Sequence, residues 1–107
     1  MKMVMAIINA DDAQTVVSNL TKSGFSVTKL ATTGGFLKTG NTTVLIGIED
    51  EKLEEVLGII NKHSHSRKQL VSATSEFGIG MIPTVPIEVS VGGATIFVMD
   101  VERFEKI

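Results

Sequence analysis

The sequence has 107 residues, 43% hydrophobic and 21% charged, which fits one folded domain over 1–107 and excludes a disordered chain. Ten Lys plus Arg against twelve Asp plus Glu leave a formal charge of −2, which excludes the broad basic face that grips a phosphate backbone but not a small anion held by backbone N–H groups. Cys is absent, removing disulfides and thiolate metal sites, and no apolar run reaches membrane-spanning length, so the expectation is a soluble cytoplasmic protein.

Met3 to Ile8 is a continuous apolar run, suited to a strand buried on both faces. Asp11 is the expected N-cap of the helix that follows, with Gln14 as its capping-box partner. Ala13, Val16, Val17 and Leu20 recur at helical spacing and give that helix one apolar stripe. Gly24 stands where a C′ glycine ends a helix. A strand should follow, with Phe25 and Val27 on one face and Ser26, Thr28 and Leu30 on the other.

Thr32 to Asn41 is rich in Gly and Thr, with Phe36 at its centre, and Thr42 to Ile48 is again β-prone. Asp50 is the expected cap of a second helix, whose stripe is Leu53, Val56, Leu57 and Ile60. Glu51, Glu54 and Glu55 favour its N-terminal end through the helix dipole, and fraying is expected over Asn61 to Ser66. Val71 to Pro86 carries Gly78, Gly80 and Pro83 among Phe77, Met81 and Ile82, and reads as a long mobile loop. Ile87, Val89 and Val91 alternate with Glu88 and Ser90, Gly92-Gly93 is a two-residue hairpin signal, and Ala94 to Met99 is the expected partner strand. Val101 to Ile107 has no periodicity that assigns an element.

This order predicts an α+β fold, a ferredoxin-like βαββαβ sandwich with an extra C-terminal β-hairpin element. Two helices cover only one face of a four-stranded sheet. Yet the first strand is apolar on both faces, Met3, Met5 and Ile7 against Val4, Ala6 and Ile8, and the last sets Thr95, Phe97 and Met99 against Ala94, Ile96 and Val98. At about 25 cal/mol per Å² of apolar surface, a second wet face is costly for a small domain, and the simplest cover is another copy in closed symmetry.

The chemistry concentrates in Thr32 to Thr43. Its glycines let the backbone approach a ligand, successive N–H groups of such turns form anion nests, and Phe36 with Leu37 offers a surface for a flat base. An ordinary flexible loop with one buried Phe has the same composition, and no Gly-Lys-Ser or Gly-Lys-Thr makes it a Walker loop. His63 and His65, flanked by serines near a helix end, read as a surface tip because a metal pair would prefer i, i+4 spacing and further ligands. The glutamates of the second helix read as a solvated face, and no serine stands on a nucleophile elbow. No catalytic residue, metal site or bound cofactor is therefore expected.

Thr28-Lys29-Leu30-Ala31-Thr32-Thr33-Gly34-Gly35-Phe36-Leu37, followed by Gly40-Asn41-Thr42-Thr43, resembles the signature of the PII-like cyclic di-AMP receptor family. Val89-Ser90-Val91-Gly92-Gly93-Ala94-Thr95-Ile96-Phe97-Val98 resembles its second hallmark, and the likeness spans nearly the whole chain. The resemblance implies a non-enzymatic homotrimeric signal transduction protein with cyclic di-AMP bound between subunits. It implies that Thr28 bonds a phosphate or base edge, that Gly35, Phe36 and Leu37 present N–H groups and pack an adenine, and that Asn41 reads adenine polar atoms. It further implies that Gly47 leaves room for the base and that Phe97 helps wall the pocket. Gly24 and Ser26 stand where members often carry Asn and Arg, and Lys106 stands near a glutamine-like tail contact, so Ser26, Lys29, Gly34 and Lys106 are secondary candidates, the lysines as compensating charge. The movable parts would be the Gly34 to Gly40 and Val71 to Pro86 loops, the latter offering Phe77, Met81 and Ile82 to an unidentified partner protein.

Three other readings compete. A PII-type regulator binding ATP or another adenine nucleotide usually has a longer first loop with a modifiable Tyr, and this chain has no Tyr. A small ferredoxin-like hydrolase needs an Arg in a Gly-rich phosphate loop, and the only arginines, Arg67 and Arg103, lie outside one. RNA binding fits poorly with the −2 charge and 5% aromatic content.

Overall fold

A computed structural model describes residues 1–30, 40–72 and 86–107 of the chain. Alternation along strand β1 (Lys2–Asn9) sets the architecture: Val4, Ala6 and Ile8 are fully buried, while Met3, Met5 and Ile7 are only half-buried. Strand β3 (Asn41–Ile48) lies antiparallel beside it and alternates in step, with Val44, Ile46 and Ile48 turned inward. Onto this inner face pack helix α1 (Ala10–Lys22) through Ala13, Val16 and Leu20 and helix α2 (Leu53–Ser64) through Val56 and Ile60. Each fully buried aliphatic side chain contributes about 1.5–3 kcal/mol. Phe25, Val27, Leu53 and Ile96 close the rim of this core.

Short strand β2 (Thr28–Leu30) pairs with β3, and β6 (Ala94–Asp100) pairs with the free edge of β1, giving the order β2-β3-β1-β6. All pairs are antiparallel and both helices share one side, which is the predicted ferredoxin-like arrangement. Between α2 and β6 the chain adds a separate two-stranded sheet, β4 (Arg67–Ser72) with β5 (Pro86–Val91). Among the described residues no helix is long and apolar enough to cross a membrane.

Several local expectations need correction. Asn9 and not Asp11 caps α1: its Oδ1 accepts the Asp11 N–H at 2.9 Å, because β1 passes into the helix with no linker. Asp12 therefore occupies the third helical position that Gln14 was expected to fill. Gly24 does end the helix, at φ +92°, with its N–H donating to Thr21 O and the Phe25 N–H to Leu20 O, a complete Schellman arrangement. Asp50 opens a 3-10 turn over Asp50–Lys52 and does not cap α2. That helix does not fray over 61–64, because buried Ser64 donates its hydroxyl to the Ile60 carbonyl and its own carbonyl accepts the Gly93 N–H.

The expected long loop begins and ends as strands β4 and β5, and its middle, 73–85, lies outside the described residues. Gly92-Gly93 is not a hairpin turn, since β5 pairs with β4 while β6 pairs with β1; the accessory hairpin precedes the last strand. Both glycines have positive φ, +77° and +91°, and the link runs tightly over the end of α2. A Cβ on Gly92 would strike Arg67 and stand 3.0 Å from Asp12 Oδ2. Those two side chains form a bidentate ion pair, 2.9 Å from Nη2 to Oδ1 and 3.2 Å from Nη1 to Oδ2. The start of α1, the start of β4 and the link into β6 are thus tied at one joint.

Candidate ligand site on the open sheet face

The sheet face away from the helices carries the candidate residues. Cross-strand register puts Thr28, Leu45, Met5 and Phe97 in one row across all four strands. The row toward one end is Gly47, Met3 and Met99; toward the other it is Leu30, Thr43, Ile7 and Thr95. Strand alternation turns all of these side chains outward. The surface they form is apolar apart from threonine hydroxyls, and Leu30, Phe97 and Met99 are 42%, 50% and 40% exposed.

At the β2 edge this face sinks into a cavity of about 370 Å³, lined by Met1, Met3, Ser26, Thr28, Leu45, Gly47, Val101 and Phe104. Among the described residues that line it, the hydroxyls of Ser26 and Thr28 are the polar side-chain groups, and none of those side chains is charged. Gly47 forms part of the floor: a Cβ there would meet Met1 Cε at 3.3 Å. The irregular tail after β6 supplies Val101 and Phe104, and the Val101 N–H donates to Met1 O at 3.1 Å. The Met1 ammonium pairs with Asp50 at 2.9 Å; this hydrogen bond raises the ammonium pKa and lowers that of the Asp50 carboxyl. Lys2 pairs with Asp100 at the end of β6, and that hydrogen bond raises the lysine pKa.

The structure gathers three of the candidates, Ser26, Thr28 and Gly47, in this cavity. Asn41 lies six residues from Gly47 along β3, about 20 Å away at strand rise. It lines a second, shallower hollow of about 300 Å³ with Ile7, Gly92, Gly93, Ala94 and Thr95. Phe97 shares the Thr28 row but stands on the opposite edge strand, three strand spacings or about 14 Å away, and does not line the Thr28 cavity. Lys29 sits opposite buried Val44, on the other face from Thr28. Lys106 is exposed in the tail, two residues beyond Phe104. Gly34, Gly35, Phe36 and Leu37 lie outside the described residues. His63 is half-buried at the end of α2, and the carbonyl of exposed His65 accepts from Arg67 at 3.3 Å.

Sequence reasoning did not assign Met1, Met3, Leu45, Val101 or Phe104 to a site. Alternation sets Met3 on one face with Met5 and Ile7, and the register puts Leu45 opposite Met5 on that face. Phe104 had a weaker signal: a lone aromatic amid Glu102, Arg103, Glu105 and Lys106.

Residues 1–107 match the sequence model of a family described as cyclic-di-AMP receptor. Among curated proteins the chain is 31% identical over 100 residues to "Nitrogen fixation nifHD region GlnB-like protein 1" of Methanothermococcus thermolithotrophicus, covering 81% of this chain and 88% of the relative. Among solved structures it resembles a functionally unknown protein from Pediococcus pentosaceus ATCC 25745, with a TM-score of 0.77 and 42% identity over 99% of this chain and 96% of that one.

Proposed function

Because the chain belongs to the cyclic-di-AMP receptor family, whose members are non-enzymatic PII-like signalling proteins, we propose that it binds cyclic di-AMP between the subunits of a cytoplasmic homotrimer and relays occupancy through loop rearrangement. The observation that carries this reading is the separation of its site residues: Thr28 and Gly47 border a cavity at one edge of the open face, while Phe97 stands at the other edge of the same row. One ligand touching both draws them from two copies, and the apolar open face favours such packing. The ligand shifts the loop populations by its differential affinity for the conformations that supply its contacts.

The cavity's chemistry fits a base: among the described lining residues there are hydroxyls for its edge, apolar walls for its faces and no charged side chain to meet phosphate. Gly35, Phe36, Leu37 and Asn41 complete the proposed ligand set, with Ser26, Lys29, Gly34 and Lys106 in supporting places. The GlnB-like relative keeps a second ligand class in play, a PII-type regulator binding ATP or another adenine nucleotide.

Calorimetry on the purified protein decides between them. Saturable heat with cyclic di-AMP and none with ATP and magnesium is the expected result; silence toward cyclic di-AMP at high micromolar concentration overturns the proposal. Gly47→Leu, which fills the cavity from its floor, should abolish that heat while the apo protein stays folded.

A further inference from the structure

We propose that Phe104, in the irregular tail after β6, is a base-stacking residue that closes the outer side of the cavity beside Thr28 and Gly47. The inference rests on the reading of that cavity as a nucleotide site and assigns the residue that captures the ring. Among the described residues lining the cavity, Phe104 alone is aromatic, and its partners Met1, Met3, Leu45 and Val101 are aliphatic or thioether. A flat heterocycle gains more against an aromatic face than against a methyl group, because dispersion and quadrupole terms act over its whole area.

The tail is anchored on the side from which the ring reaches the cavity. The Val101 N–H donates to Met1 O, and Lys2 pairs with Asp100, so the chain leaves β6 beside β1. Two residues later Arg103 and Glu105 pair with each other at 2.9 Å. That i, i+2 pair occupies one side of the tail, and Phe104 between them takes the other, toward the cavity. The ring is 63% exposed, so it is not a core residue; its free face is the surface that a bound base would cover.

The chain has no Trp and no Tyr, so Phe104→Trp creates its single indole reporter at the proposed contact. Titration of that variant with cyclic di-AMP should give a saturable change in emission at the affinity found by calorimetry. Phe104→Ala should lower affinity roughly 10- to 100-fold, with Phe104→Tyr restoring most of it. Unliganded thermal midpoints should stay within about 2 °C of wild type, since an exposed ring contributes little to folding. If the wild type binds and Phe104→Ala binds within twofold of it, with the Phe104→Trp emission unmoved, this inference is overturned while the receptor reading stands. If the wild type is itself silent to cyclic di-AMP, the receptor reading fails and this inference falls with it.

Discussion

The two faces of the central sheet use the same strands for opposite ends. On the helix side Val4, Ala6, Ile8, Val44 and Ile46 are wholly buried against Val16, Leu20, Val56 and Ile60. On the open side Met5, Leu45 and Phe97 are also apolar, yet Met5 and Leu45 are only half-buried and Phe97 is 50% exposed. Hydrophobicity alone therefore does not separate folding residues from interaction residues in this molecule; the parity of each position along its strand does. The inner set stabilises the single chain, and the outer set is the one that the proposed function assigns to another copy and a ligand.

The comparison implies a graded set of outcomes on intrinsic stability, and the largest belong to the inner face. Leu20→Ala removes a fully buried side chain from the centre of the helix–sheet core and should cost about 2–5 kcal/mol in urea unfolding. Next comes the joint beside Gly92. Asp12→Ala leaves the Arg67 guanidinium without its bidentate partner, and an expected loss of about 1–3 kcal/mol follows from removing hydrogen bonds to a charged group. The low end of that range is favoured because the Arg67 side chain is 43% exposed and water compensates part of the loss. Hydrogen exchange should rise in β4, whose first residue the pair holds, more than in β1. Equal effects on both strands would mean that the pair serves the whole domain and not the hairpin.

How much of this was legible follows the same division. Strand alternation and the Ala13-Val16-Leu20 stripe are local periodic signals, and the core and the ferredoxin-like order emerged from them. Gly92-Gly93 misled because a positive-φ pair is equally the signature of a hairpin turn and of a tight link between sheets. What distinguishes the two here is packing against Ser64, Arg67 and Asp12, residues 25 to 80 positions away in sequence. Strand β4 went unread because Arg67, Lys68 and Gln69 open it without alternation, and its partner Pro86–Val91 lies beyond a long intervening segment. The family resemblance singled out Thr28 and Gly47, which share a cavity, but the wall that Met1, Val101 and Phe104 build comes from residues about a hundred positions apart. No local pattern announces such a meeting.

The smallest expected effect on folding is also the sharpest test of the comparison. Ile96 and Phe97 are neighbours on edge strand β6 and point to opposite faces: Ile96 is half-buried against the core, whereas Phe97 lies in the open row with Met5. Ile96→Lys places a charge at the rim of the apolar interior and should lower stability by about 1–3 kcal/mol. Phe97→Lys, one residue on, should change the unfolding free energy of the isolated chain by no more than about 0.5 kcal/mol, because a lysine there is solvated from the start. Its effect should fall instead on association, with sedimentation equilibrium moving from an assembly toward the 11.5 kDa single chain. Equal destabilisation by both lysines, with no change in mass, would show that the open face is merely a second side of the core, and the division between folding and interaction surfaces would collapse.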